Sequence, residues 1–558
     1  MAERRLAISI KGGVSLGTYE AGVLAETLRL IEYNNNPQNG STKWYIDAMS
    51  GASAGSITAT LVAVSLLNGT NGWLEEVWVD ALSFDALRPQ DNSPNSDYDL
   101  LDTSKLDGLA AKYAPYPMTP NRHAALRSGN ADLRLRFCLS RANPSITAVP
   151  ARAGGSISVE EYAETTSFFI RLSETNSLAV CADGFAAPGY GNLDPRVIGT
   201  AGWAAFVRSA IASGSFPFAF APRNLLRWSD AHTWVDTYFI DGGLFDNDPV
   251  GEAINLAHDI DWYSPFANAY DDVDRRLLII HTAPYKQPPL IAIVPDPYQL
   301  GINLINSVLN ESMESGLRGI KQVNAAIAQR ADVLSMLASQ IRYGAAFGFS
   351  ESLLQQLAVW RKMDLTREFE PLRAALIPDL ARTNPDIYAI VSSLPAQADR
   401  DRFRDIALAF DLALNVADKV QLDPIYVAPA EELSGDHLSG FAGFLVDNFR
   451  KRDFAQGRFD AWCEWSQIAA SQPNEFVLPA AADQQYPMPA KPPSSSDVAS
   501  EPENQQQYQK KAAEFFDRVD AVLGALAKAA TAGDTFSWFK STALKLFLEE
   551  AARKAINS

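Results

Sequence analysis

The stretch WYIDAMSGASAGSITATLVAVSLL, residues 44–67, joins a short apolar strand, a glycine-flanked serine and an apolar helix in immediate succession. Its pentapeptide GASAG, at 51–55, fits G-x-S-x-G, a pattern in which a serine on a sharp strand-to-helix turn exposes its hydroxyl. A second match, GVSLG at 13–17, follows another short strand, RLAISI at 5–10. No other serine has glycine at both the −2 and +2 positions. At most one of the two serines is predicted to be a nucleophile.

The bulk of the flanking side chains favours Ser53 over Ser15. Ser53 lies between two alanines, which crowd an acyl group little, whereas Ser15 lies between a valine and a leucine. Gly12 and Gly13 precede Val14, so backbone N–H groups here can approach a ligand closely. Because parallel strands end side by side, we expect this loop beside Ser53. The N–H groups of Gly12, Gly13 and Val14 are then predicted to form an oxyanion hole.

The rest of the chain supports an α/β fold with a helical addition. Up to about residue 283, strand patterns alternate with helix patterns, which predicts βαβ units and a parallel sheet covered on both faces. After about residue 300 the apolar residues recur at helical intervals. The segment IYVAP, at 425–429, indicates a strand that returns to the sheet. The predicted domains are a catalytic domain at 1–290, an α-helical region at 291–422, a strand and helix packing back on the catalytic domain at 423–480, an exposed linker at 481–510 and C-terminal helices at 511–558.

Composition excludes some classes of function. The formal net charge of −18 disfavours nucleic-acid binding, which needs clustered lysine and arginine. The three cysteines, far apart and odd in number, are expected to be buried, reduced thiols. The first residues lack the apolar region of a signal peptide, and no run approaches the length of a membrane span. We therefore expect a soluble cytoplasmic protein, with export by a system that reads no N-terminal signal as the alternative. The oligomeric state is left open.

Asp241 is the strongest candidate for a general base. It ends the strand pattern TWVDTYFID at 233–241, and Gly242 and Gly243 follow it and let another backbone come close. An ordinary turn aspartate is the alternative, because Asp-Gly pairs are common in turns. None of the five histidines has the spacing of a metal site, and no metal or cofactor is expected.

Taken together and in this order, the segments KGGVSLGTYEAGVL, DAMSGASAGSI, SAIASGSFPFAFAPR and FIDGGLFDNDPV resemble the patatin-like phospholipases over roughly residues 5–283. The resemblance implies a three-layer α/β/α fold with a mostly parallel central sheet. It also implies a Ser–Asp dyad without histidine, in which Ser53 is the nucleophile and Asp241 the general base. The remaining motif positions are Gly12, Gly13, Gly17, Gly51, Gly55, Gly242 and Gly243.

The chain departs from the family pattern at two positions of the glycine loop. Commoner members have a third glycine where this chain has Val14, and a basic residue where it has Leu16. A valine at this position would be strained if its φ were positive. Without the basic residue, and with a strongly negative chain, we expect neutral or zwitterionic phospholipids or other long-chain acyl esters as substrates. The enzyme would meet them by transient contact with a membrane surface.

Two alternatives remain open from sequence. The order Ser53, Asp241, His281 also fits a Ser–Asp–His α/β-hydrolase, although only one strand clearly precedes the Ser53 strand. The domain could instead be a patatin-like interaction module without significant turnover. The segment at 440–462 resembles one found late in longer bacterial members of the family. Its basic run at 450–452 is expected to lie on a solvated helix face.

Overall fold

A computed structural model describes residues 3–40, 42–70, 72–89, 100–150, 156–189, 195–217, 219–229, 231–263, 274–284, 297–342, 351–361, 363–414, 423–436, 440–480 and 483–531. Two compact units are present: residues 1–314 with 424–558, and residues 315–423. Part of the expected C-terminal helices, at 532–558, lies outside the described residues. No helix of the described ranges is long and apolar enough to cross a membrane.

The strands, in chain order, are β1 Glu3–Ile10, β2 Lys43–Gly51, β3 Ala131–Pro150, β4 Ser156–Leu172, β5 Leu178–Asp183, β6 Phe185–Ala186, β7 Arg196–Ile198, β8 Arg223–Trp228, β9 Trp234–Ile240, β10 Asp274–Ile280 and β11 Asp423–Val427. The helices between β1 and β10 are α1 Gly17–Asn35, α2 Ala54–Asn68, α3 Gly72–Glu75, α4 Phe84–Leu87, α5 Thr103–Tyr113, α6 Gly199–Ser213 and α7 Val250–Tyr263. The later helices are α8 Pro297–Arg342, α9 Glu351–Trp360, α10 Glu370–Thr383, α11 Pro385–Ser392, α12 Gln397–Leu414, α13 Ala442–Leu445, α14 Asp447–Ser471, α15 Ser495–Ser500 and α16 Pro502–Thr531.

The central sheet has the strand order β11-β10-β1-β2-β3-β4-β5-β7. Strands β10, β1, β2 and β3 are parallel, and the sheet continues beyond β3 with antiparallel strands. Helices pack on both faces, so the predicted three-layer α/β/α fold is confirmed, as is the return of a strand near 425 to the sheet. The antiparallel part was not predicted, because βαβ alternation identifies only strands that are separated by helices.

The parallel strands end at one edge, which is where the predicted site residues lie. Ile10 at the end of β1 is paired with Gly51 of β2 and with Ile280 of β10. Gly51 is in turn paired with Phe137 of β3. The turn after β1 and the turn after β2 therefore emerge side by side, as the parallel arrangement predicts.

Two glycines let α14 pack closely on α1. A Cβ at Gly22 of α1 would overlap the backbone of Phe454, and one at Gly457 of α14 would overlap the backbone of Tyr19. Trp465 of α14 is fully buried and donates from Nε1 to Thr27 Oγ1 at 3.2 Å. The late segment is thus an integral part of the first unit's core.

The basic run at 450–452 does not lie on a solvated face, which corrects the expectation from sequence. Arg450 and Arg452 are buried, and the exposed residue of the three is Lys451. Arg450 donates to backbone oxygens of Val79 and Gly443, at 2.7 and 2.6 Å, and satisfies carbonyl groups that would otherwise be buried without partners. A charge pattern alone does not reveal such carbonyl partners.

The second unit is helical, as its apolar periodicity predicts. It contains the later part of α8 together with α9, α10, α11 and α12. Leu334, Leu337 and Ile341 of α8 are buried in it. Arg330 forms a two-pronged ion pair with the buried Asp411 at 2.7 Å for each bond. The structure does not describe the side chains of Leu304, Val308 and Leu317, which belong to the same helical pattern of apolar residues.

In the stretch 481–510, which the sequence suggests is an exposed linker, residues Ser495–Ser500 and the start of α16 are helical. Val498 and Asn504 are buried there. The three cysteines are free thiols; Cys138 is buried, whereas Cys181 and Cys463 are half-buried.

Candidate active site

Ser53 lies on a strained turn between β2 and α2. Its backbone has φ 52° and ψ −124°, a conformation that costs a non-glycine residue on the order of 1–3 kcal/mol. The flanking glycines allow the turn to be this sharp. A Cβ at Gly51 would meet the backbone of Gly55 at 2.7 Å, and one at Gly55 would overlap the backbone of Ile10 and Lys11. Gly51 is therefore required by a contact within the turn, and Gly55 by the close approach of the end of β1.

The Ser53 hydroxyl is bonded directly to a buried carboxylate. Ser53 Oγ donates to Asp241 Oδ2 at 2.5 Å, and Gly243 N–H donates to Asp241 Oδ1 at 2.7 Å. Both Ser53 and Asp241 are buried. Burial raises the pKa of Asp241 to about 7, and the hydrogen bonds from Ser53 and Gly243 oppose that shift. The pair thus combines a short hydrogen bond with a carboxylate of raised basicity.

Asp241 reaches Ser53 by a route different from the one expected. Its strand, β9, does not belong to the parallel part of the sheet but pairs antiparallel with β3, where Ile240 lies opposite Ser140. This pairing is on the part of β3 that extends beyond the parallel edge. Gly242 then passes so close to the carbonyl of Cys138 that a Cβ would overlap it. The Asp-Gly-Gly sequence therefore folds back toward the site because β3 is long.

Ser213 and Ser215, at and after the end of α6, hold the two residues in place. Ser213 Oγ accepts from Ser53 N–H at 2.9 Å and donates to the Cys138 carbonyl at 2.7 Å. The Ser215 carbonyl accepts from Asp241 N–H at 2.9 Å. The Ser-Gly-Ser sequence at 213–215 thus connects the backbone of the nucleophile candidate to that of the base candidate. Sequence reasoning assigned these serines no role, although they lie inside one of the quoted motif segments.

The glycine loop lies against the Ser53 turn. A Cβ at Gly12 would lie 2.9 Å from Ser53 Cβ, so glycine is needed for this approach. Gly12 N–H donates to the Asn247 carbonyl at 3.0 Å, and it is therefore occupied in this structure. Within the described ranges, neither Gly13 N–H nor Val14 N–H donates to another group of the protein. Of the three N–H groups predicted to form the oxyanion hole, those of Gly13 and Val14 therefore remain available to a substrate oxygen.

Val14 adopts a positive φ of 54°, which is strained for a β-branched residue. It lines the same cavity as Ser53. Further along the loop, Gly17 begins α1 with no room for a side chain, because a Cβ would overlap the ring of Trp78. Strain at Val14 thus coincides with the position where the family commonly has its third glycine.

Ser15 has an environment that separates it from the candidate dyad. It is buried, and both its N–H, at 3.0 Å, and its hydroxyl donate to the carbonyl of Gly440. Gly435 and Gly443 lie against the same side chain. The second G-x-S-x-G serine therefore fastens the glycine loop to the segment formed by residues 434–436 and 440–446. That segment, which has no chemistry visible in sequence, contributes to the site through this contact and through Phe444, which lines the cavity.

His281 is bonded away from Ser53 and Asp241. Its Nε2 lies 2.8 Å from Lys11 Nζ, and its Nδ1 lies 2.9 Å from the Ala283 carbonyl oxygen. Burial, followed by the neighbouring Lys11 charge, lowers the pKa of His281 to about 4. Burial also lowers the pKa of Lys11. This histidine does not occupy the position that a Ser–Asp–His triad requires, between the serine and the aspartate.

Two cavities that share lining residues, together named the apolar slot, lie beside Ser53. A cavity of about 30 Å³ is lined by Ser53 and Val14, by Ile57 of α2 and by Phe216 and Phe220. A second cavity of about 50 Å³ follows and shares with the first the side chains of Ile57, Leu82 and Leu106. Apart from Thr60 and Tyr113, its lining is apolar, and it lies among α2, α5 and α6.

Comparison with known proteins agrees with the sequence resemblance. Residues 8–254 match the family model of the patatin-like phospholipases. The chain contains a patatin-like phospholipase domain. Domains of this family are lipid acyl hydrolases, and the match spans Ser53, Asp241 and the glycine loop. No curated protein matches the chain in sequence.

Proposed function

We propose that this protein is a lipid acyl hydrolase of the phospholipase A or lysophospholipase type that uses Ser53 as nucleophile and Asp241 as general base. The observation that supports this most directly is the 2.5 Å hydrogen bond from Ser53 Oγ to Asp241 Oδ2 within the patatin-like domain. In the first step Asp241 takes the Ser53 proton while Oγ attacks the ester carbonyl. The resulting tetrahedral oxyanion accepts hydrogen bonds from Gly13 and Val14 N–H.

Collapse of this intermediate breaks the ester bond. The leaving alkoxide takes the proton back from Asp241, and the acyl group remains on Ser53 as an ester. A water molecule then gives its proton to Asp241 and attacks the acyl-enzyme. The fatty acid leaves, and the proton returns to Ser53 Oγ. Atoms and charges balance without any further reactant.

The raised pKa of Asp241 matters to both steps. A carboxylate at its ordinary pKa of about 3.9 is a weak base toward a serine hydroxyl. With a pKa of about 7, Asp241 is near the value at which a general base is most effective at neutral pH. The physical cause is burial without a neighbouring cation among the groups that affect it.

The apolar slot supports a long, unbranched acyl chain as the part of the substrate that is held. Each buried CH₂ contributes roughly 0.8 kcal/mol. Both cavities are small, so an entering chain must displace lining side chains, which favours a slender chain over a branched one. Leu16, which stands where a basic residue is common, supports neutral or zwitterionic head groups.

Mutation of the two motif serines tests the proposal. We expect Ser53→Ala to abolish hydrolysis of a short-chain chromogenic ester and to prevent labelling by a fluorophosphonate. Ser15→Ala, the matched control in the second G-x-S-x-G sequence, should retain labelling and most activity, since Ser15 contacts Gly440 instead of the dyad. Mass spectrometry locates the adduct. An adduct on Ser15 contradicts the assignment, and no adduct on the folded wild type favours an interaction module.

A further inference from the structure

The long hairpin formed by β3 and β4 extends beyond the edge of the sheet at which Ser53 lies. β3 runs parallel to β2 as far as Phe137, whose partner on β4 is Thr166. Ile146, farther along β3, is paired with Glu160, six residues from Thr166. At about 3.3 Å per residue this pair lies roughly 20 Å beyond the edge. The hairpin therefore projects on the side of the molecule that carries the candidate active site.

This projecting part is a two-stranded ribbon, defined here as residues 145–150 and 156–161. Within the described ranges, β9 pairs with β3 only at Ser140 and Arg141, so no third strand accompanies the ribbon. Isolated two-stranded ribbons are marginally stable in water unless another surface covers them.

The ribbon exposes aliphatic side chains on both of its faces. The side chain of Ile146 is 69% exposed, that of Ile157 62% and that of Val159 43%. Because side chains alternate along a strand and paired residues share a face, Ile157 and Val159 lie on one face and Ile146 on the other. A protein partner that packs on one face would leave the other in water. An apolar medium that surrounds this part of the ribbon covers the aliphatic side chains of both faces.

Charge and aromatic side chains agree with a lipid surface as that medium. The sequence from 142 to 159 contains a single charged residue, Arg152, and Glu160 and Glu161 follow it at the end of the ribbon nearer the sheet. Nearer the sheet, Tyr162 stacks on the half-exposed ring of Phe245, with centroids 5.9 Å apart. Phe245 lies four residues after Asp241. Tyrosine is favoured at the boundary between hydrocarbon and water.

We propose that this ribbon places the exposed side chains of Ile157, Val159 and Ile146 in the surface of a zwitterionic lipid aggregate and holds the active-site edge against it. The inference rests on the proposed lipid hydrolase function, for which it names the surface that meets the substrate. Glu160, which is paired with Ile146, and Glu161 are exposed on the ribbon and would be repelled by an anionic surface.

A vesicle-binding assay tests the inference. The Ser53→Ala protein, which leaves the lipid intact, is sedimented with phosphatidylcholine vesicles, with and without the double change Ile157→Glu, Val159→Glu. We expect the double change to weaken binding at least tenfold. The matched control, Thr175→Glu with Ser177→Glu, adds the same charge in the exposed turn between β4 and β5 at the opposite edge of the sheet and should bind as its parent does.

Activity of the same changes in a chain with Ser53 intact separates this inference from the proposed function. We expect the ribbon variant to lose hydrolysis of vesicles but to keep its melting temperature, fluorophosphonate labelling and hydrolysis of a soluble short-chain ester. Unchanged vesicle binding overturns the inference, as does a shift from dimer to monomer in light scattering without loss of binding. The protein could instead bind vesicles through the ribbon and yet release no fatty acid that depends on Ser53. That result would support the inference and refute the proposed function.

Discussion

As the proposed general base, Asp241 is expected to determine the pH dependence of the reaction. Its carboxyl group is buried beside a serine hydroxyl, and no histidine intervenes. The raised pKa means that near neutral pH a substantial fraction of the protein holds Asp241 protonated, and a protonated carboxyl cannot accept the Ser53 proton. A base of this kind remains inactive in acid and gains activity as the pH rises.

We therefore expect kcat/KM for a soluble short-chain ester to rise with pH and to reach half of its maximum near pH 7. The activity rises with pH because the ionised carboxylate is the base. Activity is therefore present above the pKa of Asp241 and lost below it. A stopped assay between pH 4 and 9 measures the profile, and Asp241→Asn should remove most activity throughout. Full activity at pH 5 would contradict the assignment of Asp241 as the base.

Ser213 supplies a second test at the residue scale. Ser213→Ala leaves the Ser53 N–H without its acceptor, at a cost of about 1–3 kcal/mol, part of which should raise the barrier for acylation. We expect kcat to fall about tenfold with little change in KM and in the pH midpoint. Ser213→Thr keeps the hydroxyl and should restore activity.

Ser209→Ala is the matched control for Ser213→Ala. Ser209 is also buried in α6, and its hydroxyl has no hydrogen-bond partner within the described ranges. We expect this change to leave kcat near that of wild type. An equal loss of kcat in both variants would mean that general packing of α6, and not the bond to Ser53, is responsible.

At the scale of elements, the late helix α14 supports the site through its packing on α1. The helix α1 begins directly after the glycine loop, and α14 follows the segment that holds Ser15 and lines the cavity. Close approach of the two helices depends on Gly22 and Gly457, each of which faces the partner's backbone. Changes at this interface should therefore affect stability far more than their size suggests.

We expect Gly22→Ala to destabilise the protein by several kcal/mol, although alanine favours helix over glycine by about 1 kcal/mol. The added methyl group would overlap the Phe454 carbonyl oxygen, which is backbone and cannot move aside alone. Gly108→Ala in α5 is the control, since no atom lies within 4 Å of its Cβ position; it should be neutral or stabilising. The midpoint of urea unfolding measures both. Equal midpoints for the two variants would refute the proposed close contact.

At the scale of the whole molecule, net charge is expected to select among lipid surfaces. A formal charge of −18 repels anionic vesicles over a distance that salt shortens, from about 30 Å at 0.01 M to about 8 Å at 0.15 M. Zwitterionic surfaces lack this repulsion.

We expect faster release of fatty acid from zwitterionic vesicles and lysophospholipid micelles than from anionic vesicles, with a triglyceride emulsion for comparison. Raising the salt concentration should increase the rate on anionic vesicles and change the rate on zwitterionic vesicles little. Ser53→Ala provides the background rate for each lipid. A preference for anionic vesicles at low salt would contradict the charge argument.

Local sequence patterns were sufficient to predict the elements that they encode. The alternation of apolar strands and helices gave the α/β layers, and helical periodicity gave the region after 300. The glycine-flanked Ser53 and the Asp-Gly-Gly sequence could be recognised because few residues other than glycine fit a sharp turn or a close backbone contact. The adjacency of the two glycine turns followed from the rule that parallel strands share an edge.

Which of these groups meet, and how each is held, depends on contacts that form only in the folded chain. The antiparallel strand that delivers Asp241, the acceptor that Ser213 offers to Ser53 N–H and the contact of Ser15 with Gly440 all join residues far apart in the chain. The same is true of the buried Arg450, whose partners are backbone carbonyls, and of Gly12, whose N–H is taken by Asn247. Backbone groups are the same at every position of a sequence, so only the folded chain reveals which of them face a given side chain.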